Sequence, residues 1–335
     1  MAAQQPKRPT MNDVARDADV SLKTVSRVVN RMTTVDPAMT DRVLVSIRRL
    51  GYRRNDVAAT LRTGTETRTI GLITADLQNA FYTPIAAAIA SAARARDFHL
   101  ITASSEESPD LEKATVLDLF QRRVSGLVIV PSGDNHRYLR TEVKMGTPVV
   151  FVDRPGGGLR ADAVLLDNAG GAAAAVDELL AAGHTRIAVL LDSLEIYTMR
   201  ERHAGVQVAL ERAGVALDPA LVGHRLHTPD DAAAAVATML DLRRPPTAVL
   251  CGNNRSLIGA VDQVWRRRSD VAVVGFDDFE TSRLLPMPVR IVNYDAAELG
   301  RIAAERAFAR LDGDTSAART ILLPTELVSR GGFAR

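Results

Sequence analysis

Apolar residues recur at two different periods along the chain, and the change of period divides it. Near the N-terminus the period is helical. Met11, Val14, Ala15 and Ala18 are spaced as one helix face, and Thr10 with Asp13 three residues on has the form of a capping box. Asp19-Val20-Ser21 interrupts the pattern, and Ser21 can cap a second helix running to about Asn30. Leu22, Val25, Val28 and Val29 give that helix an i, i+3, i+4 stripe, which Val20 extends. A third amphipathic helix follows, with Val43, Ile47 and Leu50 inward and Arg42, Arg48 and Arg49 outward. In GYRRNDVAATLRTG, residues 51–64, Asn55 can cap a short helix from Asp56 to about Arg62, which Gly64 ends. So short a helix is unstable alone in water.

From Thr69 the pattern becomes continuous apolar runs alternating with helix-like stretches. TIGLIT, FHLITAS, GLVIVPS, PVVFVD and DAVLLD form one series; RIAVLLD, TAVLCG and VAVVGFDD form another. Such runs predict parallel strands covered on both faces by helices. The expected fold is an α-helical head, with helix-turn-helix geometry, followed by an α/β body in two lobes. Ligands in parallel α/β folds sit at the carboxyl ends of strands. Those ends carry Asp76 and Asn79, Ser104 and Ser105, Asp153 and Arg154, Asn253 and Asn254, and Asp277 and Asp278. Two such halves facing each other make a cleft that can close on a small molecule.

Charge sharpens the division. The net +2 hides a head, residues 1–62, with 12 Lys/Arg against 6 Asp/Glu (+6), and a remainder with 30 against 34 (−4). A basic head on a mildly acidic body points to a polyanionic partner for the head. The stripe of valines explains how the second helix packs, and its other face explains the charge. Lys23 and Arg27, four apart, share that face, and either can donate to guanine O6 and N7 in a major groove. Ser21, Thr24, Ser26 and Asn30 can hold phosphates and fix the register. Tyr52 is the one aromatic residue of the head, which argues against a single-strand stacking platform and for duplex DNA.

The remaining composition mainly excludes. A single cysteine, Cys251, rules out an intrachain disulfide, and no run of eighteen apolar residues suggests a membrane span. MAAQQPKRPT carries no apolar signal stretch, so a soluble cytoplasmic protein without a membrane partner is expected. The six histidines lack metal-ligand spacing, and the glycines at 156–158 and 170–171 lack the order of a dinucleotide or phosphate loop. No nucleophile motif stands out. Neither a cofactor nor a metal nor enzymatic activity is expected.

TMNDVARDADVSLKTVSRVVNR resembles the DNA-binding head of the lactose-repressor (LacI-type) family, whose pattern is T-x-x-D-V-A-x-x-A-G-V-S-x-x-T-V-S-R-V-x-N. The resemblance implies that Leu22 and Lys23 help choose the operator and that Arg27 contacts a base. Thr10 and Tyr52 join the DNA-contacting set. Asp19 stands where the family has its turn glycine, a position expected to need positive φ. Asn55, Ala58 and Leu61 match the family's hinge helix, in which the leucine wedges into the minor groove at the operator centre.

The resemblance extends through GLITADLQNAFY, RRVSGLVIVPS, VVFVDRP, RERHAGVQVAL, VVGFDD, AELGRIAAERAFARL and LPTELVSR. It implies two Rossmann-like lobes of the periplasmic-binding-protein type I kind. The implied organisation is an arm at 1–10, a helix-turn-helix domain at 11–54, a hinge at 55–67 and an effector-binding and dimerisation body at 68–335. Lobe one is about 68–165 with 296–324; lobe two is about 166–295 with 325–331. The implied effector residues are Asp76, Asn79, Phe81, Tyr82, Asp153, Arg202, Asn253, Asn254, Asp277 and Tyr294, a set suited to a carbohydrate-like ligand. Asn254 replaces an acid that is usual in the family and N-P-F reads N-A-F, which leaves room for a more anionic effector. The implied function is a homodimeric transcriptional regulator, most simply a repressor, on a pseudo-palindromic duplex operator. An architectural DNA binder without an effector, or a solute-binding protein, remains open on the body alone. No leucine heptad follows residue 311, so a C-terminal four-helix tetramer is not expected.

Overall fold

The computed structural model describes residues 9–30, 32, 34–52 and 67–332. It divides into two compact units, a head before Arg68 and a body from Arg68 on. The hinge residues Asn55, Ala58 and Leu61 lie outside the described residues.

The head holds three helices: α1 (Met11–Asp17), α2 (Leu22–Val29) and α3 (Pro37–Leu50). Thr10 and Asp13 form the capping box at α1, Ser21 caps α2, and Asp36 caps α3 behind Pro37. Val14, Ala15, Ala18, Val25, Val28 and Val43 are buried together, with Val20, Ile47, Leu50 and Tyr52 packed around them. Leu22 departs from the expected stripe. It is the first residue of α2 and its side chain is 44% exposed.

The body runs β1 (Thr67–Thr74), α4 (Tyr82–Ala95), β2 (His99–Ser104), α5 (Pro109–Gln121), β3 (Val124–Ile129), α6 (Arg140–Lys144), β4 (Val149–Val152) and β5 (Asp162–Leu166). Then come α7 (Asn168–Ala181), β6 (Ile187–Leu190), α8 (Tyr197–Arg212), β7 (Val222–Gly223), α9 (Pro229–Leu240), β8 (Ala248–Cys251), α10 (Asn254–Arg266), β9 (Ala272–Phe276) and β10 (Val289–Asn293). The chain ends with α11 (Ala296–Leu311), β11 (Thr320–Leu323) and β12 (Glu326–Arg330). One sheet has the order β11-β5-β4-β3-β1-β2 and the other β12-β10-β9-β8-β6-β7. Seven of the eight predicted runs end as wholly or mostly buried strands, because each sheet is covered on both faces. The two-residue β7, the antiparallel β12 and the strands β10 and β11 were not among those runs.

Among the described residues the chain passes between the lobes after β5, after β10 and between β11 and β12. Lobe one packs α4 and α11 on one face of its sheet and α5 on the other. Lobe two packs α9 and α10 on one face and α7 and α8 on the other. Two helix pairs there need a glycine at their closest approach. A Cβ on Gly205 would lie 2.1 Å from the Ala169 carbonyl oxygen, and one on Gly259 would lie 2.1 Å from that of Pro229. Among the described residues no helix is long and apolar enough to cross a membrane.

Candidate functional site

In the head, α1 ends in a Schellman arrangement. The Val20 N–H donates to Ala15 O at 3.0 Å and the Asp19 N–H to Arg16 O at 3.4 Å. That closure puts Asp19 at φ 50°, the left-handed conformation expected of a turn glycine. Asp17 anchors α1 to α3 by accepting from Ser46 Oγ at 2.6 Å and from Arg49 Nε at 3.2 Å. The Ser46 hydroxyl, with Arg49 beside it, holds the Asp17 carboxyl below its ordinary range against the opposing effect of burial.

With the valines facing inward, α2 turns a polar side to solvent. Ser21, Leu22, Lys23, Arg27 and Asn30 are exposed, and Thr24 and Ser26 are half-buried. Ser21 accepts from the Thr24 N–H at 3.1 Å and shares a 2.9 Å hydroxyl contact with Thr24, while Asn30 reaches Ser26 at 3.5 Å. Thr10 is bound to Asp13 at 2.7 Å. Lys23 and Arg27 form no ion pair among the described residues, and both cations are exposed. An exposed Leu22 beside them adds an apolar surface of the kind that contacts a thymine methyl.

In the body a cavity of about 110 Å³ opens between the lobes at the carboxyl ends of both sheets. Eight of the ten expected effector residues line it: Asp76, Asn79, Phe81, Tyr82, Asp153, Arg202, Asn253 and Asp277. The other two lie just behind its surface. Tyr294 packs edge-on against Phe81, ring centroids 5.8 Å apart, and donates its hydroxyl to Asp277. Asn254, at the start of α10, donates across the cleft to Asn79 Oδ1 at 3.0 Å, and its own Oδ1 is buried without a partner. Asp278, at the same strand end as Asp277, turns away to Arg330 at 2.6 Å.

Arg202 is the hub of lobe two. It donates from Nε to Asn168 at 2.8 Å, from Nη1 to Gly252 O at 2.5 Å, and from both terminal nitrogens to Asp277 at 3.1 and 3.3 Å. Its guanidinium also lies over the Phe276 ring, 4.1 Å from the centroid. Four of the five N–H groups of an arginine are thereby used, two of them on Asp277.

Several lining residues carry no sequence pattern of their own. Arg154 donates two 2.6 Å bonds to Glu107 and one of 3.0 Å to Pro131 O, while Arg255 pairs across the lobes with Asp76. His227 sits 2.6 Å from Asp192. Arg154 was legible as a strand-end residue, and Asp192 is the acid that ends the run RIAVLLD; Glu107, His227 and Arg255 follow helix starts and loops, where periodicity says nothing.

The cavity is electrostatically negative. Asp76, Glu107, Asp153, Asp192 and Asp277 face Arg154, Arg202 and Arg255, two more carboxylates than guanidiniums. Burial lifts the Asp153 carboxyl to about 6, although Arg154 and Arg202 pull it down. Burial wins because Arg154 is chiefly engaged with Glu107 and lies 3.5 Å from Asp153. Burial likewise raises Asp192 against the Ser193 amide and His227, and raises the Tyr82 and Tyr294 phenols well above their usual value. A further negative charge entering the cavity would meet this excess. No cluster of three or more His, Cys, Asp or Glu able to hold a metal occurs among the described residues.

Residues 10–55 match the lacI family of bacterial regulatory proteins, and residues 176–333 match a periplasmic binding protein-like domain. The ribose operon repressor of Haemophilus influenzae is 28% identical over 325 residues, covering 96% of this chain and 97% of that protein. A crystal structure from Burkholderia thailandensis, provisionally described as a ribose operon repressor, is 31% identical with a TM-score of 0.70, covering 78% of this chain and 99% of that one. The lac repressor dimer bound to operator and the anti-inducer ONPF is 27% identical with a TM-score of 0.81, covering 96% and 98%. With a groove-sized helical head, a two-lobed parallel body and relatives matched over nearly their whole length, the chain belongs to the LacI family of bacterial regulatory proteins.

Proposed function

We propose that this protein is a sequence-specific DNA-binding transcriptional regulator, a repressor, that binds a pseudo-palindromic operator as a homodimer in the cytoplasm. In this reading α2 enters the major groove. Arg27 and Lys23 read base edges, Leu22 adds apolar contact, and Ser21, Thr24, Ser26 and Asn30 hold the backbone with Thr10 and Tyr52 beside them. The observation that carries the reading is the exposed Lys23–Arg27 face, without an ion pair among the described residues, on a helix whose valines are engaged in packing. A helix serving only to pack would gain nothing from presenting two cations side by side to solvent.

The interlobe cavity supports an effector reading for the body. Asp76, Asn79, Asp153, Asn253 and Asp277 offer acceptors for hydroxyls, and Phe81 and Tyr82 offer ring faces, as a neutral sugar or sugar derivative needs. A ligand of that cavity alters DNA affinity only by as much as it distinguishes the two lobe arrangements, and operator DNA alters ligand affinity reciprocally. The cavity's polar lining favours this over an architectural DNA binder without a ligand. The test is retardation of genomic fragments by the full chain at moderate salt. A few fragments should be retained at nanomolar protein, within the roughly 10⁻⁸–10⁻¹¹ M of specific regulators. Uniform retention, or none below micromolar protein, refutes the reading.

A further inference from the structure

The cleft does not end at the inner cavity. A second cavity of about 410 Å³ adjoins it, and Glu107, Arg154, Ile196 and His227 line both. The inner one, at about 110 Å³, falls well short of the roughly 300–1,000 Å³ usual for a small-molecule site. The outer chamber, at about 410 Å³, lies within that range, so most of the room for a ligand is outside the inner cavity. The outer chamber is also made differently. Pro109, Pro131 and Pro155 line it from lobe one and Ile196 and Tyr197 from lobe two, so a flat ring finds apolar and aromatic surface there.

The junction between the chambers is held under strain. Glu106 and Glu107 both adopt positive φ, 50° and 56°, a conformation that non-glycine residues rarely take and here take twice in succession. Glu107 is locked there by its two 2.6 Å bonds from the buried Arg154, whose Nε has no hydrogen-bond partner. Strain kept at a residue common to both chambers fits a position held for binding. Charge points the same way for both: the outer chamber adds Asp134 and Glu195 against Arg225, so no net positive field awaits a phosphate or carboxylate.

We propose that the outer chamber is a second ligand subsite and that the effector is a neutral glycoside. Its sugar ring occupies the inner cavity, its second ring lies against Tyr197 and the prolines, and Glu107 and Arg154 meet the linkage between them. This rests on the effector reading above and narrows it. O-linked disaccharides and N-linked nucleosides share the chemistry, and the test separates them.

Titration calorimetry of the full chain would compare ribose, xylose and glucose with cellobiose, maltose and xylobiose and with adenosine and cytidine. At least one two-ring probe should bind about tenfold or more tightly than its parent sugar, as stacking of one ring on an aromatic side chain allows. Its class identifies the linkage. Tyr197→Ala should lower that ratio, and Tyr197→Phe, which keeps the ring, should preserve it; unliganded melting temperatures show that both variants fold. A parent sugar that binds as tightly as every glycoside overturns the second subsite and leaves the effector reading standing. So does a Tyr197→Ala variant that weakens sugar and glycoside equally. Silence from every probe removes the effector reading itself, and this inference with it.

Discussion

Replacing Arg202 by Met should destabilise lobe two far more than it affects any ligand. The side chain is buried, and its four internal hydrogen bonds tie together the start of α7 at Asn168, the end of β8 at Gly252 and the end of β9 at Asp277. Methionine keeps part of the volume and none of the donors. Asp277 would then be a buried carboxylate supported by the Tyr294 hydroxyl, with the Gly252 carbonyl and Asn168 Oδ1 also losing their donor. Breaking a buried pair from one side costs roughly 3–5 kcal/mol. For a unit of this size each kcal/mol shifts the melting temperature by about 2–4 °C, so a fall on the order of 10 °C is expected. The single tryptophan, Trp265, lies on α10 of the same lobe, so its fluorescence in a urea titration reports the local transition. Arg202→Met with Asp277→Asn should lose less than the sum of the two single losses, with a coupling of about 0.5–3 kcal/mol. A loss below about 1 kcal/mol for Arg202→Met, or strictly additive losses, would show that the hub is not what holds these strand ends.

Arg27→Ala should weaken operator binding by about 1–3 kcal/mol and leave the melting temperature of the head unchanged; unaltered affinity in a fluorescence-anisotropy titration removes Arg27 from base reading. Asp19→Gly should stabilise the head by about 0.5–1 kcal/mol, the left-handed penalty less the extra entropy glycine loses, and a lower melting temperature contradicts the φ of 50°. Asp153 supplies a pH signature. Burial lifts its carboxyl to about 6 in the folded chain, above the ordinary carboxylate range of about 4, so the folded state holds the proton more tightly. Stability therefore falls as pH rises from about 4 to 6 and levels off above, by on the order of 3 kcal/mol for a shift of this size. Asp153→Asn should flatten that part of the stability–pH curve, and a curve of unchanged slope between pH 4 and 6 assigns the titration elsewhere.

What a single chain reveals about such a site depends on whether a residue's position is set by local pattern or by topology. Asp153 and Asp277 were legible because VVFVD and VVGFD are buried runs that stop at an acid, and the structure treats them as equivalents. Both sit just past a strand with φ of 69° and 68°, and each donates its N–H to a valine of the next strand, Asp153 to Val164 and Asp277 to Val292. The two lobes thus repeat one local solution. Leu22 was misplaced because helical spacing assigns faces only where a full turn surrounds the residue, and Leu22 opens α2. Arg255 shows the harder limit. In the sequence it is one more cation near a helix start, indistinguishable from Arg266 or Arg267 at the other end of α10. It becomes part of the cleft because strand order brings the ends of β1 and β8 face to face across the lobes, where it pairs with Asp76, 179 residues away. The pairing follows from which lobe each strand enters, and no spacing along the chain encodes that.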